Sequence, residues 1–522
     1  MALMSSFNPV LVVRCLRAAT AFAVVSAIIF ASVHISFRWQ IGNSRLKVCP
    51  SHISEDDFST AAIRCRILSA QAAARSVRKP QSSTPAEAVA EYKRRYHRPP
   101  PKGFEEWVTF ALERDSKIID DFDQIDRDLE PYRDAEARQT FQSLKEKSWD
   151  CPLTTRIECR NGTMSTSAQY RYDGELRRLV EPFVDAMPDG LFYLSLIDEP
   201  RILSRSGPRP SSVQFQEKIG ESIEDLIADS CGQITPQPVE SFLYYKDVCR
   251  SSNPASLHAL VSSPGAFSYT HSLIPVLSFG RMSAFRDILI PCPCYVAHPL
   301  AENDPLSFLE KKPVLYWRGS STGGRATRFG WKNGHRQRFV RFVRSLQEAA
   351  NALEASQLLG LGVDSLSKKR IQLFKDAFDV HMSDYLQCDD DACKDMERTL
   401  GPTNFEPEDT TENYRYLFDL DGNSMSTRFY RLLSREAVVL KQTWFQEWHD
   451  DRLTPWAHYI PVSMTMEELP ALLEFLINDP NGELLSAEIA KAGSMRSREV
   501  LREADMSIYL YRLLLEMTDL LG

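Results

Sequence analysis

The sequence lacks a surplus of positive charge and the common metal-binding motifs. Its 522 residues contain 62 Lys and Arg against 70 Asp and Glu, which gives a formal net charge of −8. Without excess cations the chain is not suited to neutralising nucleic-acid phosphates, so no nucleic-acid partner is expected. The 10 histidines form no HxxxH or HExxH pattern, and the 11 cysteines include no CxxC pair. Zinc sites of the usual spacing are therefore not expected.

Internal repeats and low-complexity tracts are also absent, and the composition is that of a globular protein. Hydrophobic residues make up 43% of the chain and charged residues 25%, which are ordinary values. A single hydrophobic core rarely extends over a chain of this length, so we predict two domains with additional segments.

One long uncharged segment, residues 18–37, contains no Lys, Arg, Asp or Glu. A helix of about 20 residues spans a bilayer core. Arginines flank the segment on both sides, so charge asymmetry alone does not fix its orientation. We predict a retained signal-anchor, with residues 1–17 as a cytoplasmic tail and 38–105 as a stem. A cleavable signal peptide is the alternative, because small residues follow the apolar run. Both interpretations place the rest of the chain in the secretory lumen.

Ten cysteines follow this segment, and an oxidising lumen would pair an even set. Their connectivity cannot be read from the sequence. The simplest predictions are two short loops, Cys151 with Cys159 and Cys388 with Cys393. The sequon Asn161-Gly162-Thr163 agrees with a lumenal location.

Strand-like apolar runs alternate with amphipathic helical patterns through the rest of the chain. This alternation predicts an α/β fold with parallel sheets. In the first half, the apolar run Gly190–Ile197 predicts a strand that ends at Asp198. A second helix and strand series occupies roughly residues 305–500.

The clearest local pattern is a βαβ unit in the second half. It consists of a strand at Tyr414–Leu420, turn residues at 421–424, a helix at Ser426–Arg435 and a strand at Ala437–Lys441. Open α/β sheets bind ligands at the carboxyl ends of their strands. The turn after the first strand is therefore a candidate ligand site.

Two arginine-bearing turns predict that this ligand carries a diphosphate. Ser426 can cap the helix, and Arg428 in its first turn is unfavourable unless an anion compensates it. Earlier in the chain an apolar strand ends at Arg318-Gly319-Ser320, where glycine permits close approach and arginine can bind phosphate. The spacing is not that of a P-loop. Either turn taken alone could equally be structural.

Carboxylates suggest two further roles. Asp419 and Asp421 lie on the same side of a strand and could ligate Mg²⁺ or Mn²⁺. The arginines that follow them favour phosphate binding instead. Asp198 is a candidate general base, because a carboxylate at a strand end could take a proton from a hydroxyl. A plain turn residue is the alternative for Asp198.

At these residues the chain resembles glycosyltransferase family 90, which includes fungal capsule-associated xylosyltransferases and Rumi-type protein O-glucosyltransferases. The fungal-type members are the closer match. The matching stretches run in order along residues 185–500; they are LIDEPR, PVLSFGRMSAFRDILIPCP, YWRGSSTGG, HRQRF, YRYLFDLDGNSMSTRFYRLL, AVVLKQTWFQEW and PWAHYIPV.

The resemblance implies a GT-B fold and inverting sugar transfer from a UDP-sugar. The two Rossmann-like domains would face a cleft, with an acceptor-side domain at 106–304 and a UDP-sugar-binding domain at 305–522. Asp198 carries over as the general base. The residues implied at the donor site are Arg318, Gly319, Ser320, Asp421, Gly422, Ser426 and Arg428. No metal or other cofactor is expected, because arginines and a helix end supply the positive charge.

The resemblance also bears on the location and the substrate of the protein. Ser424 stands where fungal relatives usually carry glycine, and the chain ends DLLG rather than with a KDEL-like tail. Together with the anchor, this favours a single-pass type II protein of the Golgi or ER membrane. Such a protein would transfer xylose or glucose to a hydroxyl of a glycan or glycoprotein acceptor. The alternative is a catalytically inactive glycan-binding or scaffold member. A lumenal hydrolase lacks paired carboxylates or a Ser-His signature.

Overall fold

The computed structural model describes residues 49, 53–54, 57–76, 80–146, 151–204, 212–232, 246–358 and 365–521. The predicted tail at 1–17 and transmembrane segment at 18–37 lie outside these residues. Among the helices within the described ranges, none is both long enough and apolar enough to cross a membrane. The chain divides into two compact units, one ending at Leu68 and one beginning at Ser69.

The helices vary from single turns to more than twenty residues. They are α1 (Thr60–Ser76), α2 (Pro85–Tyr96), α3 (Phe104–Glu113), α4 (Asp123–Leu129), α5 (Ala135–Glu146), α6 (Asp173–Val180), α7 (Glu224–Gly232), α8 (Ala259–Ser262), α9 (Cys294–Ala297), α10 (His335–Leu358), α11 (Ser365–Asp376), α12 (Asp390–Leu400), α13 (Phe429–Ser434), α14 (Leu469–Asn478), α15 (Pro480–Val500) and α16 (Glu503–Leu521).

The strands belong to two five-stranded sheets and one short two-stranded pair. They are β1 (Thr154–Arg160), β2 (Thr163–Thr166), β3 (Gly190–Ser195), β4 (Gln216–Glu217), β5 (Ser268–Tyr269), β6 (Val276–Ser278), β7 (Ile288–Leu289), β8 (Lys312–Ser320), β9 (Phe378–Asp384), β10 (Tyr414–Leu420), β11 (Val438–Gln442) and β12 (Ile460–Pro461). The predicted α/β class is confirmed.

The first sheet is mixed, with the order β2-β1-β3-β6-β7. β1 pairs antiparallel with β2 and β3, whereas β3, β6 and β7 run parallel. β3 ends at Ser195, shortly before Asp198. The candidate base therefore follows the carboxyl end of a strand in the parallel part of this sheet.

The second sheet is entirely parallel, with the order β12-β11-β10-β8-β9. Counted along the chain, its strands are arranged 2-1-3-4-5, an order that places the topological switch point between β8 and β10. Ligands of open α/β sheets bind at this position, beyond the carboxyl ends of the strands. Both arginine-bearing turns of the sequence follow these two strands.

The two faces of the second sheet have different neighbours. On one face, Phe339 of α10 packs against Trp317 and Phe418, with ring centroids 5.8 and 4.1 Å away. On the other face, Leu417 and Val439 share one buried core with residues of the first sheet. The two sheets therefore belong to a single compact unit.

Helix α2, which the sequence analysis assigned to the stem, is part of the folded body. Ala88 and Tyr92 are buried, and the Tyr92 hydroxyl donates to Glu516 of α16 at 3.1 Å. The amphipathic pattern of this segment therefore reflects packing onto the C-terminal helix. The residues near α2 continue the core rather than forming a spacer.

Cys388 and Cys393 form the predicted disulfide, but the predicted pairing of Cys151 with Cys159 is wrong. Both of these thiols are free and buried. Cys151 precedes β1 and Cys159 lies near the end of β1. An extended strand rises about 3.3 Å per residue, which exceeds the reach of a disulfide within a few residues. The other disulfides among the described residues are Cys49–Cys65, Cys231–Cys249 and Cys292–Cys294.

Buried ion pairs hold the loops between the two sheets. Arg281 pairs with Asp128 of α4, and its backbone exchanges hydrogen bonds with that of Gln446 beyond β11. Arg281 and Asp128 are both buried. Removing one partner would leave the other charge without compensation in the interior, which is costly.

We expect Arg281→Met to destabilise the protein by about 3–5 kcal/mol, because Asp128 would lose its counter-charge. The measurement is chemical denaturation followed by tryptophan fluorescence. Arg94→Ala is the matched control, since its partner Glu91 lies one helical turn away and the Arg94 side chain is 67% exposed. That variant should lose little or no stability, because an exposed ion pair contributes little. Equal losses in both variants would contradict a structural role for the buried pair.

Candidate functional site

The turns after β8 and β10 meet at the switch point and are joined by one buried arginine. Arg336 lies in the first turn of α10 and is 7% exposed. Its Nε donates to the Asp421 carbonyl at 2.7 Å. Its Nη1 donates to the Ser320 carbonyl at 3.0 Å and the Thr322 hydroxyl at 2.9 Å. A single guanidinium therefore fixes the spacing of the two turns.

A second guanidinium lies beside the first. Arg428 donates through Nη1 to the Arg318 carbonyl, while its buried Nη2 has no hydrogen-bond partner within the described chain. Ser426 places its hydroxyl 3.4 Å from the Arg428 amide, as a cap for the turn before α13. Arg428 is thus held by backbone groups rather than by a carboxylate.

Neither Arg336 nor Arg428 forms an ion pair with any acidic side chain that the structure describes. Burial, followed by repulsion from Arg428, lowers the pKa of Arg336 to about 9. Burial also lowers the pKa of Arg428. Asp421 and Asp419 partly oppose the shift at Arg336, and Asp419 and Glu408 partly oppose it at Arg428. Arginine keeps its charge in proteins, so the site is electropositive.

Arg318 has a different environment. Its Nη2 contacts Asp379 at 2.6 Å and Glu406 at 2.7 Å, and its guanidinium lies 4.7 Å from the centre of the Tyr316 ring. The charge of this arginine is therefore balanced by two carboxylates. Its carbonyl faces Arg428, so Arg318 belongs to the cluster through its backbone. Side-chain binding of a diphosphate by Arg318 remains a prediction.

The remaining predicted donor residues line the same two turns. Gly319 and Ser320 end β8, and Gly422 lies so close to Arg336 that a Cβ there would be 3.4 Å from its Nη2. The Asp421 carboxylate points inward, where it accepts from the Trp444 amide at 3.1 Å and lies 3.4 Å from His258. Burial raises the pKa of Asp421 to about 6.

The carboxylate of Asp419 is also turned toward protein groups, since Lys441 contacts it at 2.8 Å. Within the described ranges, no group of three or more His, Cys, Asp or Glu side chains is arranged to hold a metal ion. The two acids of the DLD sequence thus have protein partners, a lysine for Asp419 and a backbone amide for Asp421.

Asp198 comes from the first sheet and reaches the same turns. Asn423 of the β10 turn acts to lower the pKa of Asp198, and the Asn423 side-chain oxygen accepts from the Gly323 amide at 3.1 Å. Asp198 is exposed, yet desolvation by the surrounding protein raises its pKa, with Asn423 and then Arg171 opposing that rise. Solvent exposure of the side chain together with desolvation by the surrounding protein fits a carboxylate that lies in a crevice.

The chain around Asp198 is firmly anchored. Asp287 accepts from the amides of Arg201 and Ile202 at 2.9 Å each. Glu199 is 2% exposed, and burial, followed by repulsion from Asp198, raises its pKa to about 8. The raised pKa favours the protonated form of Glu199 near neutral pH.

Two adjacent glycines allow the β8 turn to pack this tightly. Gly323 has φ +131°, and a Cβ there would lie 2.4 Å from the His335 ring. A Cβ on Gly324 would lie 2.5 Å from the Ser263 carbonyl and 2.7 Å from that of Ala259. Larger residues are excluded at both positions, which explains the Gly-Gly sequence that follows the RGS segment.

The structure brings together the β8 turn, the β10 turn and Arg428. The roles of Asp198 and of the donor residues stay predictions. Two contributors were missed, Arg336 and Asn423. Arg336 lies in the HRQRF stretch of the resemblance, and a cation in the first turn of a helix was the available signal. For Asn423 the sequence indicated only a turn residue.

The site thus consists of a parallel α/β sheet with two arginines, Arg336 and Arg428, at its switch point. Residues 267–522 match the family model described as glycosyl transferase family 90. This region of the chain belongs to glycosyltransferase family 90.

Curated relatives carry the same family region. The chain is 27% identical to human protein O-glucosyltransferase 1 over 266 residues, 48% of this chain and 58% of that protein. It is 31% identical to the O-glucosyltransferase rumi homolog of Anopheles gambiae, over 46% of this chain and 55% of that protein. For O-glucosyltransferase rumi of Drosophila melanogaster the identity is 26%, over 47% and 55%. The match thus spans little more than half of each relative.

We expect Gly323→Ala to destabilise the β8 turn by about 2 kcal/mol or more, because alanine is strained at this φ and its Cβ would meet His335. Thermal unfolding measures the loss. Gly422→Ala is the matched control in the β10 turn, where a Cβ makes only an ordinary contact. An unfolding midpoint for Gly323→Ala equal to that of the control would show that the turn can relax.

Proposed function

We propose that this protein is an inverting glycosyltransferase of the GT-B type that transfers xylose or glucose from a UDP-sugar to a hydroxyl. One observation carries the proposal: the buried Arg336 and the half-buried Arg428 lie at the same two turns, and neither forms an ion pair with an acidic side chain among the described residues. A diphosphate supplies the anion that such a pair requires.

The donor diphosphate would lie at the switch point of the second sheet. Arg428 Nη2 has no hydrogen-bond partner among the described groups, and Arg336 Nη2 is close to Gly422. Helix α13 is only six residues long, so the guanidinium groups would supply most of the positive charge. We propose that no metal ion is needed at this site, because these two cations can balance the leaving group.

The transfer itself would use Asp198 as general base. Its carboxylate takes the proton of the acceptor hydroxyl while the hydroxyl oxygen attacks the anomeric carbon. The bond from that carbon to the diphosphate oxygen breaks, and UDP leaves with the electron pair. Attack from the side opposite UDP inverts the anomeric centre. Arg336 and Arg428 stabilise the charge that develops on the leaving diphosphate.

The proposed compartment rests on the disulfides, and the proposed donor and acceptor rest on the relatives and the family resemblance. Disulfides among the described residues favour an oxidising secretory lumen. We propose a Golgi or ER location, with the N-terminal segment as a type II anchor. The relatives named protein O-glucosyltransferases support a glucosyl donor and a protein acceptor. A xylosyl donor and a glycan acceptor follow the resemblance to fungal members.

We expect Asp198→Asn to retain UDP binding but to lower turnover by about 10²–10⁴-fold, because the base is removed while the cations stay in place. UDP release from UDP-glucose or UDP-xylose, with mannose-rich glycans or glycoproteins as acceptors, reports turnover. Calorimetry reports UDP affinity. Asp189→Asn is the control, since Asp189 is exposed just before the opposite end of β3. Near-normal turnover in Asp198→Asn would remove Asp198 from the mechanism.

The arginine variants separate binding from structure. We expect Arg336→Met and Arg428→Met to weaken UDP binding by about tenfold or more, since each loses a charge-assisted hydrogen bond. Arg318→Met should mainly lower thermal stability, because Asp379 and Glu406 would lose their counter-charge.

Calorimetric titration with UDP and thermal unfolding, carried out on all three variants, provide the comparison. A loss of UDP affinity in Arg318→Met at an unchanged unfolding temperature would contradict this division of roles. It would instead place the Arg318 side chain on the diphosphate.

A further inference from the structure

The buried hydroxyl of Tyr295 faces two acceptors with one hydrogen. Tyr295 lies in α9 and is 1% exposed. Its hydroxyl oxygen lies 2.5 Å from Oε2 of Glu447 and 3.2 Å from the carbonyl oxygen of Ser426. A phenol donates one hydrogen bond at a time, so the two acceptors compete for it. The ring stacks on Tyr430 of α13 with centroids 3.7 Å apart, which fixes the oxygen and leaves only the direction of the hydrogen to change.

The Ser426 carbonyl belongs to the part of the β10 turn that carries Arg428. The Ser426 hydroxyl lies 3.4 Å from the Arg428 amide. Besides Tyr295, the Phe429 amide approaches the Ser426 carbonyl, at the long distance of 3.5 Å. A hydrogen bond from Tyr295 would therefore fix the backbone two residues before Arg428, in a segment that has few other strong contacts of its own.

The protonation state of Glu447 determines which acceptor receives the hydrogen. Glu447 is fully buried after β11, and its Oε1 lies 3.5 Å from Lys441. When Glu447 is ionised, its carboxylate is the stronger acceptor, and 2.5 Å is a typical length for a hydroxyl bound to a carboxylate. When Glu447 is protonated, it has an O–H of its own to donate to the Tyr295 oxygen. The hydrogen of Tyr295 is then free to turn toward Ser426.

We propose that Tyr295 is a positioning residue of the β10 turn, and that uptake of one proton by Glu447 redirects the Tyr295 hydroxyl from Glu447 to the Ser426 carbonyl. This inference rests on the proposed function, because the turn that gains the hydrogen bond is the one proposed to bind the diphosphate. The protonated state therefore has the higher affinity for UDP. By linkage, UDP binding favours proton uptake by Glu447 to the same extent.

The surroundings of Glu447 place this exchange near neutral pH. Burial raises the pKa of Glu447 to about 7, with Lys441 and then Lys246 opposing the rise. Burial, followed by repulsion from Lys441, lowers the pKa of His449 far below its usual value, so this neighbour at 3.7 Å stays neutral. Burial, followed by Glu447, raises the pKa of Tyr295, which keeps its hydrogen. The other titratable groups around Glu447 are Asp419, Tyr430 and Asp450.

Two substitutions each remove one state of the exchange. Tyr295→Phe has no hydroxyl and can never bind the Ser426 carbonyl. Glu447→Gln imitates the protonated acid at every pH, because Lys441 attracts the amide oxygen and the NH₂ group then faces Tyr295. The two variants should therefore differ from the wild type at opposite ends of the pH range.

The first experiment measures UDP affinity of the full chain by calorimetry from roughly pH 5.5 to 8.5, on both sides of the pKa of Glu447. Below that pKa we expect Tyr295→Phe to bind UDP about fivefold more weakly than the wild type, the value of one hydrogen bond, and Glu447→Gln to match the wild type. Above it, Tyr295→Phe should match the wild type and Glu447→Gln should bind about fivefold more tightly. UDP, Asp421 and Glu199 titrate in all three proteins, so ratios of affinity at one pH isolate Glu447.

Tyr416→Phe is the matched control. Tyr416 is equally buried in β10, and its hydroxyl donates to the Leu476 carbonyl at 2.8 Å. Its affinity ratio to the wild type should be the same at every pH. If the wild type binds UDP but Tyr295→Phe and Glu447→Gln also give constant ratios, the inference is overturned and the proposed function stands.

The second experiment needs no ligand. Hydrogen exchange is followed in peptides that cover residues 425–430, with all proteins compared at the same pH. Tyr295→Phe should exchange faster than the wild type only below the pKa of Glu447, and Glu447→Gln should exchange more slowly only above it. If the wild type binds no UDP, the proposed function fails and this pattern alone decides the inference. Equal ratios of exchange rate at all pH values would overturn it.

Discussion

Two arginines without an ion-pair partner among the described residues, Arg336 and Arg428, are the constraint on which the site depends. Arg336 and Arg428 are held by backbone carbonyls and hydroxyls, which orient a guanidinium but do not cancel its charge. A buried cation is tolerated when a ligand completes its electrostatics. The turns after β8 and β10 both contact this pair. The same two side chains therefore set the local positive charge and the spacing of the turns at the switch point.

The scaffold supports that arrangement with contacts in which charge is fully balanced. Arg281 with Asp128 joins the first-half helices to the loop beyond β11. Asp287 holds the amides that follow Asp198 and Glu199. Among the described residues, some arginines thus pair with carboxylates, whereas Arg336 and Arg428 are held by carbonyl and hydroxyl groups. The distinction depends on neighbours far away in sequence, because Arg318 and Arg428 look alike in their local motifs.

Much of the fold could be predicted from particular segments. The strand at Tyr414–Leu420 was predicted with its observed bounds, because a continuous apolar run next to a Gly-Asn turn is typical of a buried parallel strand. The helix that follows is shorter than predicted, Phe429–Ser434, since the chain before it is held by contacts to Ser426 and Arg318. The predicted Cys151–Cys159 disulfide was wrong because the chain between the two cysteines is largely an extended strand. The extension of that strand, rather than the short sequence separation, sets the distance between the two thiols.

The sequence by itself determined the α/β class, the family resemblance and the turns at two strand ends, because these depend on local patterns. It also named Asp198 as a candidate base. Tertiary structure decided which arginines meet a carboxylate and which do not. Arg318 meets Asp379 and Glu406 only because β8 and β9 are neighbours. Asn423 meets the Gly323 amide only because the turns after β8 and β10 lie side by side. Such charge balances are sums over side chains that the chain brings together from distant positions.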